Sequence, residues 1–422
     1  MLDRAPPRPL RPTNPHRPTA PHRPTNPRRP TNPGAPMPVI PEIAERLPEF
    51  TAIRRDFHRH PEIGFEEVRT SGIVAGMLEG WGIEVHRGIG GTGLVGVIEG
   101  NAPGRTVGLR ADMDALPIEE RTNLEWRSTV PGVSHACGHD GHTTMLLAAA
   151  QRLAETRDFP GRVIVIFQPA EEGLGGARAM IKDGLFDRFP CDEVYGLHNS
   201  PYTDEGVVGI KPGVAMAGAD FFDIRIQGVG SHGASPQHSK DPIMVATALA
   251  QALQTIRSRN APPHEAAVLS ITQIHSGAAY NVVPDTATLS GTLRFFSDEA
   301  RDRMRDRMRE LSAGLAVAFG VEIEVDIRDV FTVLENDVNL TDVVAGIAAE
   351  ITGAERVSLQ SEAATGSEDF ADMLKAAPGV YFTVGHKGDV PLHNPGFVFD
   401  DDVIPLGASM LVSVAAARLA AG

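Results

Sequence analysis

Five consecutive apolar residues, Val163-Ile164-Val165-Ile166-Phe167, leave no polar face for solvent. A strand of that kind must be covered on both sides, which is the situation in parallel or mostly parallel sheets flanked by helices. Its exit reads Gln168-Pro169-Ala170-Glu171-Glu172-Gly173, so two adjacent carboxylates are delivered to a sheet edge. Two other expected strands end in the same way. Residues 106–110 run into Asp112 and Asp114, and residues 193–197 run into His198-Asn199. Open α/β sheets bind ligands beyond the carboxyl ends of their strands, so these loops predict one active edge.

Between the first two of those exits lies Ser134-His135-Ala136-Cys137-Gly138-His139-Asp140-Gly141-His142, with three imidazoles, a thiol and a carboxylate broken by glycines that allow close approach. A polar turn before a helix and a cysteine nucleophile paired with histidine are both compatible with it. A metal site is the reading that also predicts further ligands at strand ends, and Glu171, Glu172 and His198 stand there. His393 lies in a proline-flanked loop, Val390-Pro391-Leu392-His393-Asn394-Pro395-Gly396, after another expected strand. Thiolate and imidazole suit Zn²⁺, while added carboxylates widen the choice toward Mn²⁺. If one of the two glutamates held an ion, the other would stand near water whose pKa the ion lowers to about 7. Spacing does not say which glutamate does which.

A formal net charge of -15 argues against nucleic acid or anionic membrane surfaces as general partners. No uninterrupted apolar run approaches the ~20 residues of a membrane helix. Two cysteines make no disulfide framework, and with no secretory signal in view a reducing cytoplasm is expected. Residues 1–36 carry proline at every third position from Pro6 to Pro36, with seven Arg and one Asp. That period is polyproline II, so an extended tail is expected, either an anion-binding or proline-recognition arm or an upstream extension before Met37.

Helical spacing follows to about residue 80, then a glycine-rich hairpin over residues 83–100. The hairpin contains Gly88-Ile89-Gly90-Gly91-Thr92-Gly93, formally a dinucleotide fingerprint, but strand continues where a helix is required. A helix is expected from His142 to about Ala154. From residue 221 the order becomes βαββα with a closing strand at 321–328, a ferredoxin-like α+β layer, and Ser297 before Asp298 and Glu299 is a good helix start. Helix–strand alternation resumes after residue 330. The expected organisation is therefore a tail (1–36), a catalytic part (37–213), an inserted smaller domain (214–329) and a second catalytic part (330–422).

Segments 54–67, 109–117, 135–142, 168–176, 196–199, 230–236, 276–294, 366–370 and 392–396 together resemble the amidohydrolases of the M20 metallopeptidase family. The nearest branch is that of hippurate hydrolases, N-acyl-amino-acid amidohydrolases and indoleacetyl-amino-acid hydrolases. The resemblance implies an α/β catalytic domain with a mostly parallel central sheet, interrupted by a lid that also forms a homodimer. It implies two divalent ions, Zn or Mn with Co or Ni as further options, held by Cys137, His139, Glu172, His198 and His393, the thiolate bridging. Glu171 would be the general base and Asp114 the partner that orients a ligand. In the lid, His232 would stabilise the oxyanion, in its own chain or across a dimer, while Asn281 and Arg294 would bind the substrate. The implied reaction is hydrolysis of an N-acyl amino acid to a carboxylic acid and an amino acid. A deacetylase of N-acetyl-diaminopimelate, a metallodipeptidase and a catalytically decayed binding protein are the alternatives. After Phe370 the chain departs from the family pattern, because residues 371–373 lack an aromatic.

Overall fold

Residues 163–167 are fully buried in the computed structural model, which describes residues 39–421. The proline-rich segment 1–36 lies outside the described residues. Val163, Val165 and Phe167 enter one apolar cluster, and Ile164 and Ile166 enter another. Alternate side chains of a strand point to opposite faces, so the apolar run has a core on each side. Each fully buried Ile or Val there contributes about 1.5–3 kcal/mol.

The strand they belong to, Pro160–Gln168, sits inside an eight-stranded sheet. Its order is Glu84–Ile89, Gly93–Glu99, Pro160–Gln168, Ala102–Asp112, Glu193–Ser200, Gly379–Gly385, Val208–Ile210 and Val357–Leu359. The four strands from Pro160–Gln168 to Gly379–Gly385 are parallel to one another, and antiparallel pairs flank them. The hairpin of residues 84–99 forms as expected, which disposes of the dinucleotide fingerprint.

One face of the sheet is covered by helices Leu47–Arg59, Val68–Gly80, His139–Thr156, Val338–Thr352 and Ile404–Ala420. The other is covered by Gly176–Lys182, Leu185–Arg188 and Phe370–Ala376. Asp401–Ala420 is long and apolar enough by length and composition to cross a membrane, although no uninterrupted apolar run spans it. Its hydrophobicity has a packing cause: it lies on the equally buried His139–Thr156 helix, and a Cβ on Gly407 would come within 2.2 Å of the Met145 sulfur.

The second layer is a four-stranded antiparallel sheet in the order Ala267–Ser276, Thr286–Phe295, Gly218–Gln227 and Glu322–Phe331. Helices Pro242–Thr255 and Asp298–Phe319 share its apolar cluster. Ser297 caps the latter by accepting from the Ala300 amide, and Asp241 caps the former from Ile243. The strands entering and leaving this layer, Gly213–Met216 and Leu334–Asn336, pair antiparallel.

The helix expected from His142 begins instead at His139, because Gly138 in the left-handed region (φ 91) turns the chain there and its carbonyl accepts from the Gly141 and His142 amides. The strand expected to stop at Leu197 continues to Ser200 by pairing with Gly379–Gly385. Ala371 and Met373, where the chain departs from the family pattern, are core residues of a short helix.

Candidate metal centre

Of the residues in the 134–142 stretch, only two join the cluster at the sheet edge. Cys137 Sγ lies 3.3 Å from His198 Nε2, and Cys137, His139 and His198 place their donor atoms within 4.8 Å of one another. Cys137, Glu172 and His393 form a second such group, with His393 Nε2 3.2 Å from Glu172 Oε1. The thiol is common to both groups. A Cβ on Gly138 would lie 2.4 Å from the Asn199 side-chain nitrogen Nδ2, so glycine lets Cys137 and His139 pass this close to the Glu193–Ser200 strand.

Each imidazole is oriented through its other nitrogen. His139 Nδ1 faces Asp114 Oδ1 at 3.2 Å, and His198 Nδ1 donates to the Asn199 carbonyl at 2.6 Å. Both Nε2 lone pairs are thereby turned inward. Asp114 also accepts the Glu172 amide at 3.0 Å, so one carboxylate fixes two expected ligands. His393 sits at φ 61, a conformation that costs a non-glycine residue energy, and its amide is tied to the Ala136 carbonyl at 2.8 Å.

His142 and Asp140 are engaged within the fold. His142 donates to Asp112 at 2.7 Å and accepts the Asn199 amide at 2.9 Å, which leaves no lone pair for an ion. Asp140 holds Arg54 and His58. Burial opposes charge on His58, but Asp140 and Glu120 more than offset it and raise its pKa to about 9. Burial pulls His135 down to about 4 and keeps it neutral.

Whether these donors suit a cation is answered by their unmet bonds. His139 Nε2 is buried and has no hydrogen-bond partner among the described residues, and it lies 3.9 Å from Glu172 Oε1. Orphaned buried acceptors are costly unless something electropositive satisfies them, and a sulfur, nitrogen and oxygen donor set suits Zn²⁺ or Mn²⁺. A cysteine nucleophile needs a lowered pKa, whereas burial and Glu172 push the Cys137 thiol up.

Glu171 is buried beside Glu172 and His139 on one side and Glu368 and Asp369 on the other. Burial, Glu368, Glu172 and Asp369 push its carboxyl well above the usual range. Behind it lies a network that the sequence reading missed. Arg110, fully buried, donates to Gln168 at 2.8 Å, Asp112 at 2.8 Å, Glu368 at 2.9 Å and Asp369 at 3.2 Å. Tyr381 donates to Glu368 from the far side. The available signal was the Glu368-Asp369 pair before an apolar helix.

His232, Asn281 and Arg294 are not members of this cluster. His232 is exposed on a two-stranded ribbon with Val282, its Nδ1 accepting the Ala234 amide at 3.0 Å. Asn281 is exposed on the same ribbon's approach. Arg294 is half-buried, and its hydrogen bonds among the described residues go to Thr292 and the Leu293 carbonyl, with no carboxylate partner. Burial lowers its pKa. None of the three hydrogen-bonds to the Cys137 cluster among the described residues.

The family model "Peptidase family M20/M25/M40" matches residues 108–417. The chain is 41% identical to the hippurate hydrolase of Campylobacter jejuni over 90% of its own length and 99% of that protein's. It is 38% identical to the N-acetyl-L-cysteine deacetylase of Bacillus subtilis, over 88% of each chain. A solved Bacillus subtilis structure described as a dinuclear metal binding peptidase from the M20 family superposes with a TM-score of 0.78 at 33% identity, covering 89% of this chain and 99% of that one.

Proposed function

The chain belongs to peptidase family M20/M25/M40, and from that premise we propose that it is a metal-dependent amidohydrolase cleaving N-acyl amino acids to a carboxylic acid and a free amino acid. The observation that carries the proposal is the pair of three-donor groups sharing the Cys137 thiol beside a buried Glu171. In this reading Cys137, His139, Glu172, His198 and His393 would hold two divalent ions. Such ions polarise an amide carbonyl and make nearby water acidic.

The chain's own residues do the rest. Asp114 keeps His139 in the tautomer that presents Nε2 and holds the Glu172 backbone in place. Glu171 takes the proton of the attacking water and passes it to the leaving amine. Arg294, a guanidinium without a carboxylate of its own, binds the substrate's carboxylate, and Asn281 binds its backbone. His232, exposed and with Nδ1 accepting the Ala234 amide, stabilises the developing oxyanion in its own chain or from a second copy of the chain. Residues 214–329 are taken as the lid. Its edge strand Ala267–Ser276 and the nearby ribbon expose Ile274, Tyr280 and Val282, which suits a homodimer. Both cysteines are free, as a reducing cytoplasm would keep them.

The test is a panel of N-benzoyl, N-acetyl and indoleacetyl amino acids given to metal-loaded protein. Release of the free amino acid from one acyl class is the expected result and names the acyl group. Inactivity on all of them alongside cleavage of a dipeptide or N-acetyl-diaminopimelate would replace the substrate assignment.

A further inference from the structure

We propose that Glu67 is a positioning residue that aims the Glu171-Glu172 pair by holding the backbone of Ala170. The inference rests on the reading of Glu171 as base and Glu172 as ligand. Glu67 occupies the N-cap position of the Val68–Gly80 helix, where a polar side chain ordinarily accepts a helix amide. Its carboxylate makes no such bond. The amides of Arg69 and Thr70 are taken instead by Glu62, at 2.9 and 2.8 Å. The helix start is satisfied without Glu67.

The Glu67 carboxylate turns inward and is completely buried. Among the described residues its hydrogen bonds are two: it accepts the Ala170 amide at 2.8 Å and the Thr92 hydroxyl at 2.5 Å. No cation pairs with it among the described residues. A buried acid without a counter-ion lowers stability relative to an apolar residue of the same size, so packing alone does not account for it.

What it holds does account for it. Ala170 sits at φ 53, in the left-handed region that a residue with a Cβ adopts only when its surroundings impose it. Its amide is fixed by Glu67 and its carbonyl accepts the Gly176 amide at 3.0 Å. Return of Ala170 to an ordinary backbone conformation would swing the next two residues, which are Glu171 and Glu172. Asp114 takes the Glu172 amide two residues on. Glu67 and Asp114 thus bracket the catalytic dipeptide on alternate backbone amides.

Burial pushes the Glu67 carboxyl up to about 7. A neutral acid can still accept from Ala170 through its carbonyl oxygen while donating to Thr92. Glutamine reproduces that arrangement.

The test compares Glu67→Ala, Glu67→Gln and Thr92→Val by steady-state kinetics at saturating metal, and by hydrogen exchange of the metal-free proteins. Glu67→Ala should lower kcat about 10²-fold with KM changed less than about threefold, the cost expected of misplaced catalytic groups. Exchange should accelerate over residues 168–177 and stay unchanged in the central strands. Glu67→Gln and Thr92→Val, which keep the Ala170 bond, should stay within about fivefold of wild-type kcat. Should Glu67→Ala not fold, Glu67→Met fills the same volume without an acceptor and takes its place. The proposal is overturned if the acceptor-free variant keeps wild-type kcat, if Glu67→Gln loses as much as it does, or if exchange rises throughout the molecule. A wild type inactive on every N-acyl amino acid would instead refute the functional reading, and the exchange comparison would still decide the role of Glu67.

Discussion

Replacing Glu171 by glutamine should lower kcat by about 10²–10⁴-fold while leaving metal content and KM close to wild type. The amide keeps the shape and much of the hydrogen bonding of the acid but cannot take a proton. Glu171 is the carboxylate that suits the task because it is buried beside the donor cluster and its neighbours push its proton affinity upward. Glu172 differs: its Oε1 is directed at His393 and His139 and its amide is held by Asp114. The same substitution at position 172 should therefore act first on metal affinity. Metal analysis beside kinetics separates the two, and near wild-type turnover by fully loaded Glu171→Gln would reverse the assignment.

A second large effect is expected in stability. Arg110→Met removes the guanidinium that pairs with Asp112, Glu368 and Asp369, all of them buried. Burial opposes the charge of Arg110, and Glu368, Asp112, Tyr381 and Asp369 hold it protonated far beyond its ordinary range. Breaking a buried ion pair from one side leaves an uncompensated charge, and here Glu368 and Asp369 take most of the loss, since Asp112 keeps His142. The expected cost is on the order of 3–5 kcal/mol, read as a lower denaturation midpoint in chemical unfolding. Turnover should fall as well, because Glu368 and Asp369 stand directly behind Glu171. A variant as stable as wild type would mean that these acids are held neutral without the guanidinium.

Where a residue's role follows from its own neighbours in the chain, it was legible. The run at residues 163–167 implied a strand with two covered faces, and the two cores receive its alternate side chains. The carboxylates after that strand and the histidine after residue 197 fell at one sheet edge for the same reason. Local chemistry was less informative about which imidazole is free to ligate. His139 and His142 are equally placed in sequence, and only Asp112 and Asn199, brought in by two other strands, withdraw His142. The Arg110 network was not legible, because Glu368 lies 258 residues from Arg110 and nothing local marks either residue as buried. Glu67 was not legible either. Its partner Ala170 is 103 residues away, and a left-handed alanine leaves no trace in composition.

The most direct test of the whole account is a metal titration of stripped protein, with bound metal and hydrolysis of an N-acyl amino acid followed together. With two three-donor groups sharing one thiol, activity should be absent without metal and should reach its maximum near two Zn²⁺ or Mn²⁺ per chain. Full turnover by protein carrying no metal would contradict it.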